Sequence, residues 1–401
     1  MTNKDAAIKI VKVLRQNGYQ ALLAGGCVRD MLLRRPAKDY DVATNAQPNQ
    51  IIKLFNRTLK VGAKFGVVIV LLDGTQVEVA TFRAEADYAD GRHPQIVHFT
   101  DAASDAARRD FTINGMFYDP IDKKVIDYVG GRADLKKKII RTIGLPELRF
   151  GEDYLRMLRA VRFSSQLGFK IDPKTFVAIR KNARNITKVS GERIAMELEG
   201  ILTSTSRADG MSNLLKSGLA KTVFPDFPDK QIKLAITVLS RLPQNISFPL
   251  GLSALFAGCT TAFALKKISI LKLSRNQIKH TKFLLNGRGK VLDEDMSLAQ
   301  LKLLLAEPYF RDLYDFQMAL LKASGKSIGP LVKLNKRIKS LGNIEIKPKP
   351  LLNGNDLMRL GAVAGPALGK LSRELYIAQL NNTIVTKENA EEWVRNWLNK
   401  N

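Results

Sequence analysis

Cysteine and histidine are scarce in this chain of 401 residues, with two of the first and three of the second. Cys27 and Cys259 stand far apart, without a CxxC spacing or a histidine at ligand distance, which excludes a disulfide framework and a structural zinc site and points to a reducing, cytoplasmic compartment. His93, His98 and His280 form no His-Asp dipeptide, so the paired ligands of a metal phosphohydrolase are missing too. Acidic residues are in short supply, 38 against 64 Lys+Arg, leaving a formal charge of +26. Because 45% of the residues are hydrophobic, the excess belongs to a folded protein that meets a polyanion, and nucleic acid is the leading partner. A continuous apolar leader is also absent: Lys4, Asp5, Lys9, Lys12 and Arg15 interrupt the amino terminus. The one uncharged run long enough to span a bilayer at ~20 residues, Leu242 to Leu265, carries Pro243, Pro249, Gly251, Gly258 and a Thr260–Thr261 pair. It reads as buried helix in a helical domain, and no membrane is expected.

What is present changes texture after the first ~140 residues, from mixed helix and strand signals to helix alone, so the expected fold is α+β: a mixed sheet with helices, then a helical remainder. An amphipathic helix opens the chain (Ala6 to Asn17). Gln20 to Ala24 reads as a strand running into Gly25-Gly26 and a helix start. Asp39 to Ala43 reads as a strand whose period of two puts Asp39 and Asp41 on one face. Val67 to Leu72 and Gln76 to Phe82 flank Asp73-Gly74, a strong hairpin signal. Arg83 to Asp105, with Asp90-Gly91 and His93-Pro94, reads as a long loop with short extended pieces. Gly218, Gly287, Gly325 and Gly342 mark breaks between later helices, and Ser190 a helix cap.

Three features suggest phosphoryl or nucleotidyl transfer. Gly25 and Gly26 let a backbone approach phosphate closely, and Arg29 adds a charged donor. Asp39 and Asp41 offer oxygen ligands for Mg²⁺, which activates an attacking hydroxyl and neutralises phosphoryl charge. Glu78, on the neighbouring hairpin, offers a third carboxylate. Asp-x-Asp or Gly-Gly alone would be weak, but a strand-turn-helix-strand unit can bring them together.

The string LLAGGCVRDMLLRRPAKDYDVAT resembles the active-site signature of tRNA nucleotidyltransferases and bacterial poly(A) polymerases, the class II branch of the polymerase β nucleotidyltransferase superfamily. Arg108-Arg109-Asp110-Phe111-Thr112-Ile113-Asn114 is similar to that family's second motif. Glu152 to Phe163 is similar to its nucleotide-selecting helix, and Glu192-Arg193-Ile194 with Glu197-Leu198 to the helix that braces it. The resemblance runs from ~20 to ~225 in four ordered motifs. It implies a polymerase β-like catalytic head at 1–143, a helical neck at 144–222, and a helical, RNA-binding body and tail at 223–401. It further implies metal on Asp39 and Asp41 with Glu78 as a further catalytic carboxylate, and triphosphate on Gly25, Gly26 and Arg29. Arg108, Arg109, Asp110 and Asn114 would lie at phosphate and ribose. Asp153 and Arg156, with Arg159 and Arg162 beside them, would read the Watson–Crick edge of the incoming base in place of a template. The residue chemistry suits that reading: a carboxylate accepts from the exocyclic amine of cytosine or adenine and a guanidinium donates to ring nitrogen or carbonyl. Taken alone, Asp153 and Arg156 would also make an ordinary i,i+3 surface pair on a helix.

The resemblance implies CTP and ATP as substrates and a tRNA 3′ end as acceptor; the sequence leaves the oligomeric state open, with a monomer favoured. Full CCA addition, CC-only addition, A-only addition and poly(A) synthesis share these motifs. The intact segment Phe82 to Pro94, part of which CC-only relatives lack, favours an enzyme able to add A. A non-catalytic RNA-binding protein would need the charge but not Asp39, Asp41 and Asp153 together. Lysine-rich stretches at Lys266-Lys267, Lys333 to Lys339 and Lys347 to Lys349 suit RNA phosphates.

Overall fold

The computed structural model describes residues 1–60, 65–88, 94–342 and 344–400, with the backbone alone at 85–88 and 94–97. Met1–Asp229 together with Lys266–Leu273 form one unit, and Lys230–Leu265 together with Ser274–Asn401 form a second.

The first unit opens with α1 (Asn3–Gln16), started by a capping box in which Thr2 and Asp5 satisfy each other's backbone N–H groups. Its apolar stripe, Ala6, Ala7, Ile10, Val11 and Leu14, is fully buried. Strands β1 (Ala21–Ala24), β2 (Asp41–Thr44), β3 (Thr58–Leu59), β4 (Val67–Leu72) and β5 (Thr75–Thr81) come next. The chain then runs through β6 (Arg83–Tyr88), β7 (Pro94–Phe99), β8 (Met116–Asp119) and β9 (Lys124–Asp127). Seven of these nine form a mixed sheet in the order β3-β4-β5-β2-β1-β8-β9. Only β2 and β5 run parallel in it among the described strands. The α+β expectation therefore holds. Asp73 and Gly74 both take positive φ in the two-residue β4–β5 turn, as a primed hairpin turn requires.

Two local expectations need correction. The ladder of β2 starts at Asp41, opposite Ala24, so Asp39 lies outside the strand. The reason is the length of β1, which ends where Gly25 turns the chain away at φ 75° and leaves no partner for Asp39. The segment after Phe82 is not a long loop: β6 and β7 pair antiparallel from Arg83 opposite Phe99 to Tyr88 opposite Pro94. The alternation of Arg83-Ala-Glu-Ala-Asp-Tyr carries a period of two that its polarity disguised. Asp90, Gly91 and His93 lie outside the described residues.

Helices α2 (Gly26–Leu32), α3 (Pro48–Leu54), α4 (Ala102–Ala107) and α5 (Gly131–Lys137) accompany the sheet. A parallel pair, β10 (Ile139–Ile140) with β11 (Lys170–Ile171), leads to the helical part of this unit. That part holds α6 (Pro146–Glu152), α7 (Leu155–Leu167), α8 (Pro173–Asn182), α9 (Gly191–Leu202), α10 (Arg207–Lys216) and α11 (Leu219–Val223). Helix α7 buries Met157, Leu158, Ala160 and Val161 completely and packs on α9. Ser190 occupies the N-cap of α9, and Gly191 behind it approaches the 266–273 segment so closely that a Cβ would stand 1.8 Å from the Ile270 carbonyl oxygen.

The second unit contains α12 (Asp229–Arg241) from Lys230 on, α13 (Phe248–Leu255), α14 (Thr261–Ile268) as far as Leu265, α15 (Arg275–Asn286), α16 (Leu298–Leu305) and α17 (Phe310–Ala323). These are followed by α18 (Gly329–Ser340), α19 (Gly354–Arg359), α20 (Pro366–Leu380) and α21 (Lys387–Lys400). The uncharged run near residue 250 is explained by α13, whose eight residues are all buried. Among the described residues no helix is long and apolar enough to cross a membrane. Gly218, Gly287, Gly325 and Gly342 all fall at helix ends. At Gly287 the requirement is space, since a Cβ would meet Leu313 at 2.7 Å.

Candidate active site

The site begins where β1 delivers Gly25. A Cβ there would stand 3.0 Å from the Arg109 guanidinium, so glycine lets backbone and cation approach together. Helix α2 then presents Arg29, which pairs with Asp30 and donates to Asn114 Oδ1 at 2.8 Å. The register of β2 against β1 and β5 sets Asp41 beside the end of β1 and next to the Val79 neighbour Glu78. Burial and the charges of Glu78 and Asp39 push the Asp41 carboxyl up to about 6, with Arg109 opposing.

Asp39, Asp41 and Glu78 share one cavity of about 700 Å³ with all eleven other residues expected from the sequence: Gly25, Gly26, Arg29, Arg108, Arg109, Asp110, Asn114, Asp153, Arg156, Arg159 and Arg162. The volume suits a nucleotide-sized ligand. Among the described residues no cluster of three carboxylate, imidazole or thiol side chains closes into a ready-made metal site. The donor set nevertheless fits a hard divalent cation: it is all oxygen, and the Asp41 carboxylate, disfavoured first by burial and then by the Glu78 and Asp39 charges, would be stabilised by a cation.

Helix α4 and the turn after it supply the cationic wall. Asp105, 1% exposed, accepts from Arg108 Nε at 2.8 Å and from Arg109 Nη2 at 2.9 Å. Burial would raise its pKa, but Arg109 and Arg108 hold it below the ordinary carboxylate range. Asp110 accepts from Arg159 through Nε at 2.9 Å and Nη2 at 2.6 Å, and from Phe111 N at 2.8 Å and Asn114 Nδ2 at 3.2 Å. Four donors fill the acceptor positions of that carboxylate. Against burial, Arg159 and these bonds keep Asp110 ionised below its usual range, and Asp110 in turn raises Arg159.

Asp153 and Arg156 both reach the cavity, but not as an i,i+3 pair on one helix. Asp153 has extended backbone (φ −150°, ψ 107°) between α6 and α7. Its Oδ1 takes the Leu155 N–H at 3.0 Å, a local bond that competes with continuing α6. Asp153 Oδ2 pairs with Arg193 at 2.8 Å. Arg156 pairs instead with Glu152 and donates to the Arg149 carbonyl at 3.1 Å. Arg162 pairs with Glu197 at 2.6 Å and lies over the Phe163 ring, 4.2 Å from its centroid.

Sequence reasoning missed Asp105, which a carboxylate three and four residues before Arg108 and Arg109 on a helix should have signalled. It also left Arg83, Phe163 and Arg193 out of the site, although all three line the cavity. Arg193 stands in the motif similar to the bracing helix, but no local spacing pairs it with Asp153, 40 residues away.

Comparison with known proteins agrees with this geometry. Residues 21–141 match the poly A polymerase head domain, and residues 168–230 match the family described as "Probable RNA and SrmB- binding site of polymerase A". The chain is 34% identical over 383 residues to the CCA-adding enzyme of Levilactobacillus brevis, covering 92% of each. It is 33% identical over 401 residues to that of Geobacillus stearothermophilus, covering 98% of this chain and 96% of the relative. The crystal structure of the Bacillus stearothermophilus CCA-adding enzyme in complex with CTP superposes with a TM-score of 0.83 at 30% identity, covering 100% of this chain and 98% of the other. Extended similarity to these relatives, on a fold that gathers the carboxylates and arginines into one cavity, places the chain in the CCA-adding enzyme family of RNA nucleotidyltransferases.

Proposed function

We propose that this protein adds C and A from CTP and ATP to the 3′ end of tRNA without a nucleic-acid template, releasing pyrophosphate. The observation that carries the reading is one cavity lined both by Asp39, Asp41 and Glu78 and by Asp153 and Arg156. The cation is Mg²⁺, held by Asp39 and Asp41 with Glu78 beside them. When bound it supplies acidity to the attacking hydroxyl and neutralises phosphate charge.

The chain's own groups do the rest. The 3′-hydroxyl attacks the α-phosphorus, the bond to the β-phosphate breaks, and pyrophosphate leaves against Arg29, Arg108 and Arg109 with the close backbone at Gly25 and Gly26. Asp110, Arg159 and Asn114 hold the ribose side. Because Asp110 is filled by its present donors, the 2′-hydroxyl is read through the Asp110–Arg159 pair. Asp153 accepts from the base amine while Arg156 donates beside it, with Arg162 held near by Glu197. Residues 1–143 act as head, 144–222 as neck and 223–401 as RNA-binding body and tail, and the reaction is cytoplasmic.

The test offers tRNA transcripts ending before CCA, after C and after CC, each with CTP, ATP or both, and sizes the products. Complete CCA with controlled termination is expected. A long A tail, or addition confined to one of the two nucleotides, overturns full CCA addition; incorporation of neither removes the enzymatic reading altogether.

A further inference from the structure

Arg149 lies outside the residues assigned to the substrate, yet its guanidinium joins three segments of the first unit. Nε donates to the Ile143 carbonyl at 2.9 Å, and Nη1 donates to both Glu152 oxygens at 2.7 and 2.8 Å. Nη2 donates to the carbonyl of Ala107, the last residue of α4 and the one before Arg108. Glu152, fixed in this way, accepts from Arg156, whose same nitrogen also reaches the Arg149 backbone carbonyl. The Arg149 and Arg156 side chains are 14% and 11% exposed, so neither fork is free to wander in solvent.

The geometry points to Arg149 as a positioning residue for nucleotide choice, acting through Glu152 to hold the Arg156 fork at the angle at which it meets the base edge. The inference rests on the base-reading role proposed for Arg156. Arg149 ties that reader to the end of α4, and so to the backbone that carries Arg108 and Arg109. Base and phosphate contacts then share one rigid frame, and a small rotation of Arg156 would misalign the base against the reacting phosphate. A lysine could not take over, because an ammonium does not present the planar set of donors that meets two carbonyls and a carboxylate at once. Displacing a reading group by about 1 Å is enough to cost up to about 100-fold in rate.

The experiment measures kcat/KM for CTP, ATP, UTP and GTP with the full chain, on tRNA acceptors, for wild type, Arg149→Lys, Glu152→Gln, the double variant and Arg156→Ala. Arg149→Lys should lower kcat/KM for CTP and ATP by about 10- to 100-fold and that for UTP and GTP far less, so the discrimination ratio shrinks. Glu152→Gln should shrink it likewise, and the double variant no further than the worse single, because both act on one fork. A merely structural role would lower all four nucleotides together and leave the ratio intact; loss of folded enzyme has that same signature, so the ratio is readable on whatever fraction folds. An unchanged ratio in Arg149→Lys and Glu152→Gln, with a collapsed ratio in Arg156→Ala, overturns the positioning role alone. An unchanged ratio in Arg156→Ala overturns the base-reading role and this inference with it.

Discussion

Asp105 offers a sharp test of how the cationic wall is held. Its carboxylate is 2% exposed at the side chain, and Arg108 and Arg109, at 19% each, both turn toward it. Asp105→Asn keeps the shape but removes the charge and sets an amide N–H against guanidinium donors. Removing one partner of a buried pair costs roughly 3–5 kcal/mol; the lower end, about 3, applies here because the arginines retain some water. For a unit of this size, at about 2–4 °C per kcal/mol, that predicts a Tm lower by about 6–12 °C at neutral pH. Acidification provides the internal control. The folded pKa of Asp105 is depressed, since Arg109 and Arg108 outweigh burial. Its contribution to stability is therefore complete above the unfolded value of about 3.9 and disappears as pH falls through the folded one. Thermal melts of both proteins across a pH series should show their difference narrowing below about pH 4. Arg109 already lowers the Asp41 pKa, so releasing it should also raise the Mg²⁺ concentration needed for half-maximal addition. Equal Tm at pH 7, or a gap that persists under acid, would refute this account of the pair.

Three further outcomes follow from the same site and surface. Asp41→Asn should reduce nucleotide addition by at least about 10³-fold while leaving tRNA affinity in filter binding within about twofold of wild type. The same variant should melt higher than wild type in chelator above pH 6: the Asp41 pKa is raised to about 6, so its charge opposes folding above that pH and is relieved as pH falls through it. An unchanged or lower melt would count against the burial penalty and the carboxylate repulsion that together raise the Asp41 pKa. Binding of tRNA should weaken by about 10³-fold or more between 50 and 200 mM salt, if six or more phosphates are contacted, and a flat titration would remove the phosphate-docking role of the lysines.

Much of this was legible in the residues because close sequence spacing carried it. Gly25-Gly26, the Asp73-Gly74 turn and the burial stripe of α1 each obey a local rule, and the structure realises them through φ angles and 0% exposed side chains. Asp39 shows where a local rule stops: a period of two places it on the strand face, but whether the ladder extends that far depends on the length of β1, which is set elsewhere in the chain. In the β6–β7 hairpin polarity suggests loop, while the alternation of Arg83 to Tyr88 is the stronger signal. Asp153 shows a different limit. Helical spacing predicts that it meets Arg156, whereas an Asx bond to Leu155 N ends α6 and turns the carboxylate to Arg193 on another helix.

The arginines explain why so basic a chain keeps acids at its centre. Eight of them line the cavity: Arg29, Arg83, Arg108, Arg109, Arg156, Arg159, Arg162 and Arg193. Seven of the eight have a carboxylate partner named above: Asp30 for Arg29, Asp105 for Arg108 and Arg109, Glu152 for Arg156, Asp110 for Arg159, Glu197 for Arg162 and Asp153 for Arg193. Asp153 is the mirror case, a carboxylate steadied by Arg193. A fork gripped on one side presents its remaining N–H groups in a fixed direction, so the cost of orienting them is met during folding and not when nucleotide arrives. That arrangement also sets the local charge. With Asp39, Asp41 and Glu78 added, carboxylates roughly match guanidinium groups at the cavity, and the net +26 of the chain must be carried outside it. Steering of a polyanion and selection of a nucleotide are thus assigned to different residues. Neutralising surface lysines should therefore weaken tRNA binding without relaxing base choice, whereas breaking the Glu152–Arg156 or the Asp153–Arg193 pair should relax base choice without changing the salt slope.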